Sequence, residues 1–133
     1  MEGGMTTATV LTIRLPVCPD AVLSPNARSH WGPKSRAVKQ LREIAYYFGL
    51  QAMWAQDWST ALGPVTVRAT IGWSRGRKRM DPTNLADMLK PVWDGFQDAA
   101  IYANDKQVTV ESVVQERDKD GVGYVIVEVS DGD

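Results

Sequence analysis

The chain has 133 residues, enough for one domain with a real core, and its 44% hydrophobic and 23% charged residues are the balance of a globular protein rather than a disordered one. A net charge of −1 conceals an uneven spread: residues 1–80 hold 11 Lys and Arg against 4 Asp and Glu, and residues 81–133 hold 4 against 12. That asymmetry hints at a polyanion partner, while the single cysteine, Cys18, excludes an internal disulfide and a multi-cysteine zinc site, and no apolar run is long enough to span a membrane.

The opening MEGGMTTATV carries neither a basic nor an apolar leader segment, so a cytoplasmic location is expected. Leu11, Ile13 and Leu15 alternate in TVLTIRL, the pattern of a strand over 9–15. A proline-rich loop follows, long enough to expect a functional role. From about 34 to 56, Ala37, Leu41, Ile44, Ala45 and Phe48 recur at helical spacing. Lys34, Arg36, Lys39 and Arg42 lie mostly off that stripe, and Gly49 is a candidate interruption. VTVRATIGW at 65–73 alternates cleanly and reads as the most secure strand. A second helix is expected over about 82–96, stopping past Gly95. VTVESVVQER and YVIVEVS then flank DKDGVG, whose Asp120-Gly121 pair predicts a hairpin turn. The order β-α-β-α-β-β predicts an α+β domain with a mixed sheet and two main helices packed on it. Residues 9–129 form the expected domain, with flexible tails at 1–8 and 130–133.

The second helix carries most of the chemistry. Asp81 suits an N-cap, with Pro82 in its favoured place at the first helical position. At about 100° per residue, Leu85, Met88, Leu89, Val92, Trp93 and Phe96 form one apolar arc, and Asp87, Lys90 and Asp94 gather on the opposite side. Those three also suit a plain solvated face with an i,i+4 ion pair. Pro91 among them is the exception, because it should kink or end the helix, and such costs are tolerated at sites more often than on plain surfaces. Asp105 reads either as a turn residue or as a further carboxylate. Magnesium takes one or two carboxylates together with substrate phosphate, so these acids beside a basic run suit phosphodiester chemistry.

The stretches DPTNL, K-x-x-x-D-G at 90–95 and ND-x-Q-V at 104–108, with SPNARSHW and KSRAVKQLR upstream, resemble the RusA family of Holliday junction resolvases. The resemblance spans roughly residues 9–129. It implies a homodimeric endonuclease dependent on Mg2+, with Mn2+ as substitute, that nicks four-way DNA junctions symmetrically. It also implies catalytic roles for Asp81, Lys90, Asp94 and Asp105, metal binding by Asp81, Asp94 and Asp105, and an orienting role for Asn84. Two departures stand out: Thr83 replaces the second aspartate of D-x-D-N-L, and the spacing from Asn84 to Lys90 is about one helical turn too long. Asp94, or less directly Asp87, is expected to supply the missing carboxylate. If neither does, a junction-binding module with weak or lost catalysis is the alternative, and a flap nuclease of the same fold is another.

For DNA contacts, Arg75, Arg77, Lys78 and Arg79 run straight into Asp81, where they suit phosphates, though a charged loop suits them as well. Asn26, Arg28, Trp31 and Lys34 form the second expected DNA-binding group, with Trp31 placed to stack on an unpaired base. His30 is the only histidine and reads as a surface hydrogen-bonding residue. Trp54, Trp58, Trp73 and Trp93 read as core or dimer contacts.

Overall fold

In a computed structural model, which describes residues 9–24 and 31–131, the four alternating stretches become one mixed sheet. Its strands are β1 (Val10–Leu15), β2 (Val65–Trp73), β3 (Val108–Arg117) and β4 (Tyr124–Asp131), in the order β1-β4-β2-β3. Strand β4 is antiparallel to both β1 and β2, and β3 runs parallel to β2. Parallel neighbours need a long crossover, and the second helical segment supplies it. Leu11, Ile13 and Leu15, the alternate residues of β2 from Val65 to Trp73, and Val125, Val127 and Val129 are buried on one face. The expected α+β architecture, with two main helical segments packed on a four-stranded mixed sheet, is the one observed.

Helix α1 (Trp31–Ala55) begins three residues earlier than its apolar stripe suggested, and Gly49 does not interrupt it. A Cβ on Gly49 would stand 3.1 Å from Ile101, so this glycine lets the chain after the second helical segment approach. The second segment is two helices, α2 (Pro82–Met88) and α3 (Lys90–Asp98), separated at Leu89. Gly95 is not the expected stop. It lies inside α3, where a Cβ would come within 2.4 Å of the Arg42 carbonyl oxygen and 2.7 Å of Ala45, so its bare backbone sets the α1–α3 crossing distance. Arg42 and Asp98 close the same contact with hydrogen bonds of 2.6 and 2.9 Å.

The predicted β3–β4 hairpin is absent, because β2 lies between those strands. The Asp120-Gly121 turn does form, with Gly121 at φ 77°. The turn sits over the end of β2: the Asp118 N–H donates to the Trp73 carbonyl at 3.0 Å, and the Arg75 N–H to the Gly121 carbonyl at 2.9 Å. Strand β4 runs to Asp131, two residues past the expected domain boundary. Among the described residues no helix is long and apolar enough to cross a membrane.

Candidate functional site

Helix α2 starts as its sequence dictates. Asp81 is the N-cap in an extended conformation, and its Oδ1 accepts from the Thr83 N–H at 3.0 Å and the Thr83 hydroxyl at 2.9 Å. The backbone N–H bond first, and the hydroxyl second, hold the Asp81 carboxyl below its ordinary range. Thr83, standing where the D-x-D-N-L pattern has an aspartate, is thus a partner of Asp81. The Asn84 N–H donates to the Asp81 carbonyl at 2.9 Å, another bond of that first turn.

The break follows from Pro91. Leu89 sits at φ −92° and ψ −3°, outside regular helix, and its carbonyl accepts from both Val92 and Trp93 at 2.9 and 3.2 Å. The apolar arc from Leu85 to Phe96 is buried as its spacing predicts. On the other side Asp87, Lys90, Pro91 and Asp94 line a cleft of about 270 Å³, closed by Leu23 and by Lys34 and Val38 of α1. Lys90 Nζ stands 3.9 Å from Asp94 Oδ1, a loose ion pair rather than a hydrogen bond. Lys34, expected among DNA contacts, therefore joins the acidic group. Two lysines face two aspartates, so the cleft has no net positive charge of its own to draw in a phosphate.

Asp105 opens a short 3₁₀ turn, and its N–H donates to the Gln97 side chain at 2.9 Å. It does not line the cleft, and its charge, like that of Asp94, acts on the buried Tyr102. That phenol is buried and donates to the Trp93 carbonyl at 2.6 Å. Burial pushes it well above its ordinary range, and the charges of Asp94 and Asp105 push it further. Asp81 lies outside the cleft as well, six residues before Asp87 and so roughly 9 Å along the helix.

The expected metal set of Asp81, Asp94 and Asp105 is not assembled: among the described residues no three Asp, Glu, His or Cys side chains form a group that could hold a metal ion. The donor chemistry still suits magnesium in a smaller way. Asp87 and Asp94 offer hard oxygens in one cleft, and this ion commonly takes one or two carboxylates and completes its shell with phosphate and water.

The basic run divides. Arg75, Lys78 and Arg79 are exposed, and Arg79 reaches the Gln115 carbonyl at 3.4 Å. Arg77 instead folds inward, its guanidinium carbon 4.8 Å from the Trp73 ring centre and its Nη1 donating to Cys18 Sγ at 3.8 Å. Trp31, at the start of α1, is 83% exposed. Asn26, Arg28 and His30 lie outside the described residues.

Two glutamines have structural roles that the motifs do not assign, Gln107 being the glutamine of ND-x-Q-V. Gln115 accepts from the Trp73 indole and the Met80 N–H and donates to the Met80 carbonyl, at 2.8–2.9 Å, which fixes the chain one residue before Asp81. Gln107 closes a capping box with Asn104 and donates to the Ala61 and Gly63 carbonyls, fixing the turn that carries Asp105. For Gln115, followed by Glu116 and Arg117 on a largely polar strand, no local signal was available. For Gln107 the signal was the N-x-x-Q box itself.

Fold and site together define a small α+β protein with a lysine–carboxylate cleft at a helix break. No family model matches the chain. A Xylella fastidiosa protein described as an uncharacterized protein is 30% identical over 115 residues, which is 84% of this chain and 71% of that relative, and the chain belongs to the same family as that protein.

Proposed function

We propose that the chain is a RusA-like, Mg2+-dependent endonuclease of the cytoplasm that nicks four-way DNA junctions as a homodimer in recombination and repair. The observation carrying this reading is the meeting of Asp87, Lys90 and Asp94 with Lys34 in one cleft at the Leu89 break. The motif resemblance supplies the substrate, and a two-fold dimer would match the symmetry of a junction.

Asp87 and Asp94 are the residues to hold the cation, which supplies Lewis-acid chemistry at a scissile phosphodiester. Lys34 and Lys90 neutralise charge on the phosphate oxygens as it grows in the transition state. The aspartates cancel the lysines until a divalent cation restores a positive field, so phosphate capture in the cleft should require the metal. Asp81 holds the first turn of α2. Asp105, the aspartate of ND-x-Q-V, stands on the turn beyond α3 and enters this reading through the motif resemblance alone. Arg75, Lys78 and Arg79 hold neighbouring phosphates, and Trp31 offers a stacking face.

The test incubates purified protein with a four-way junction, the matched linear duplex and a flap, in magnesium or in EDTA. Paired nicks on the junction, lost in EDTA, are expected. Cutting of the flap alone would reassign the substrate. Tight junction binding with no nicks would establish the second reading, a binding module without catalysis. That reading is favoured by Thr83 in the place of a carboxylate and by the lack of a three-carboxylate group among the described residues.

A further inference from the structure

Helix α1 carries apolar side chains on the side turned away from the sheet as well as on the side packed against it. Along that outer side Glu43, Tyr47, Leu50 and Trp54 follow one another by four, three and four residues, the spacing of a coiled-coil seam. Tyr47, Leu50 and Trp54 are 57%, 39% and 87% exposed. A helix that served one sheet alone would carry polar side chains there. At about 200 Å² for a whole aromatic side chain, the exposed parts of Tyr46, Tyr47 and Trp54 come to roughly 400 Å².

Beside this seam Lys39, Arg42, Glu43 and Tyr46 wall a groove of about 420 Å³, closed by Asp98 of α3. The four α1 residues stand at i, i+3, i+4 and i+7, the frame of a hole that takes one side chain from a facing helix. Its chemistry suits an indole, because Lys39 offers a cation to the ring face and Glu43 an acceptor to the ring N–H. Trp54 is the side chain that matches. Within its own molecule it lies roughly 16 Å further along the same helix, out of reach. A second copy laid antiparallel brings it to the groove. The seam reads the same in both directions, so setting residue 54 against 43 also sets 50 against 47, and one two-fold axis satisfies both ends.

We propose that two copies of the chain pair antiparallel through the outer side of α1, each placing Trp54 in the other's Lys39–Tyr46 groove. The inference rests on the homodimer of the function proposed above and gives that dimer its contact surface. The paired rings remove about 800 Å² from water, and the groove walls and the rest of the seam supply the balance of the about 1,200 Å² at which specific interfaces begin. Lys34 and Val38 of the lysine–carboxylate cleft fall on the opposite side of α1, so both clefts stay open in the dimer.

The test needs neither metal nor DNA. Sedimentation velocity of the full chain in EDTA, up to about 100 μM, should show a species of twice 14.7 kDa. Trp54→Ala, at an exposed position, should weaken that dimer at least about 30-fold, the size of an interface hot spot. Tyr47→Lys, a good helix former in the middle of the seam, should do the same, with circular dichroism confirming that both variants fold. Leu62→Ala, at an exposed apolar residue outside α1, should leave the dimer unchanged. A monomer at every concentration overturns the proposal. So does a dimer unaffected in both seam variants, or one weakened equally by Leu62→Ala. A monomer whose affinity for single-stranded DNA falls in Trp54→Ala overturns it as well, and gives the face to DNA. A seam dimer that leaves junctions intact in magnesium keeps the interface and removes the nuclease. Junction nicking by a protein that pairs through another face does the reverse.

Discussion

Asp118 holds the turn that leads into β4. Its buried carboxylate accepts from the backbone N–H groups of Gly123, Asp120 and Val122 at 2.8, 2.9 and 3.2 Å. The Gly123 bond first, then the Asp120 bond, hold its pKa below the ordinary 3.8. A depressed folded value means that the unfolded chain takes up the proton first, so this stabilisation is present above about pH 4 and is lost as pH falls through the lower folded value. Asp81 and Asp98 shift in the same direction, the latter through the Arg42 side-chain bond. Urea unfolding at pH 6 and pH 3 should therefore show an acid loss of stability in the unaltered protein, and a smaller one in Asp118→Asn. Within the cleft, Asp94→Asn and Asp87→Asn should each lower junction nicking by about 100-fold or more, the usual effect of losing one preorganised electrostatic group. Gel-shift affinity without metal should not fall, because each substitution removes a negative charge that offsets Lys34 and Lys90. Nicking at the unaltered rate in Asp94→Asn would take that residue out of the site. The place of Asp81 as a helix cap was legible from sequence because a cap has a local signature. The long-range bonds by which Gln115 and Gln107 seat Asp81 and the Asp105 turn were not, because their partners are 35 to 46 residues away.

At the scale of elements, the sequence reading held where periodicity decides and erred where a distant partner decides. Strand β2 has its expected ends because alternation and burial coincide from Val65 to Trp73. The interruption around Pro91 also follows from one residue's chemistry. Asp120-Gly121 has the local chemistry of a hairpin, yet nothing in those residues reveals that Trp73 and Arg75 occupy the inside of the turn. Gly95 has the same ambiguity. A glycine near a helix end suggests a cap, but this one serves a neighbouring helix. Gly95→Ala would push a methyl against the backbone carbonyl of Arg42, which has no free rotation to escape. The expected cost is about 1–3 kcal/mol or more, as for other overpacked interiors, read as a lower urea midpoint at unchanged slope. An alanine variant as stable as the parent would mean that the α1–α3 crossing can open without loss.

At the scale of the whole molecule, the charge asymmetry of the sequence does not survive as two poles. The strand order alternates the halves, with β1 and β2 from the basic one and β4 and β3 from the acidic one. Arg42 pairs with Asp98 and Arg68 with Glu111, each across the divide. Part of the early positive charge is therefore matched locally, and attraction for DNA falls to cations with no carboxylate partner. Arg75, Lys78 and Arg79 are exposed and form no ion pair among the described residues. Each phosphate contact contributes about 0.9 to the slope of log affinity against log salt. Replacing all three with glutamine should flatten that slope by about 2.7 on the same scale, measured by fluorescence anisotropy on a four-way junction in EDTA between 50 and 200 mM salt. Arg68→Gln should leave the slope unchanged, because its charge is already met by Glu111. If the triple variant kept the parent slope, the basic run would be solvated charge with no phosphate against it. If Arg68→Gln flattened the slope instead, the DNA would lie on the open face of the sheet, away from the helix break.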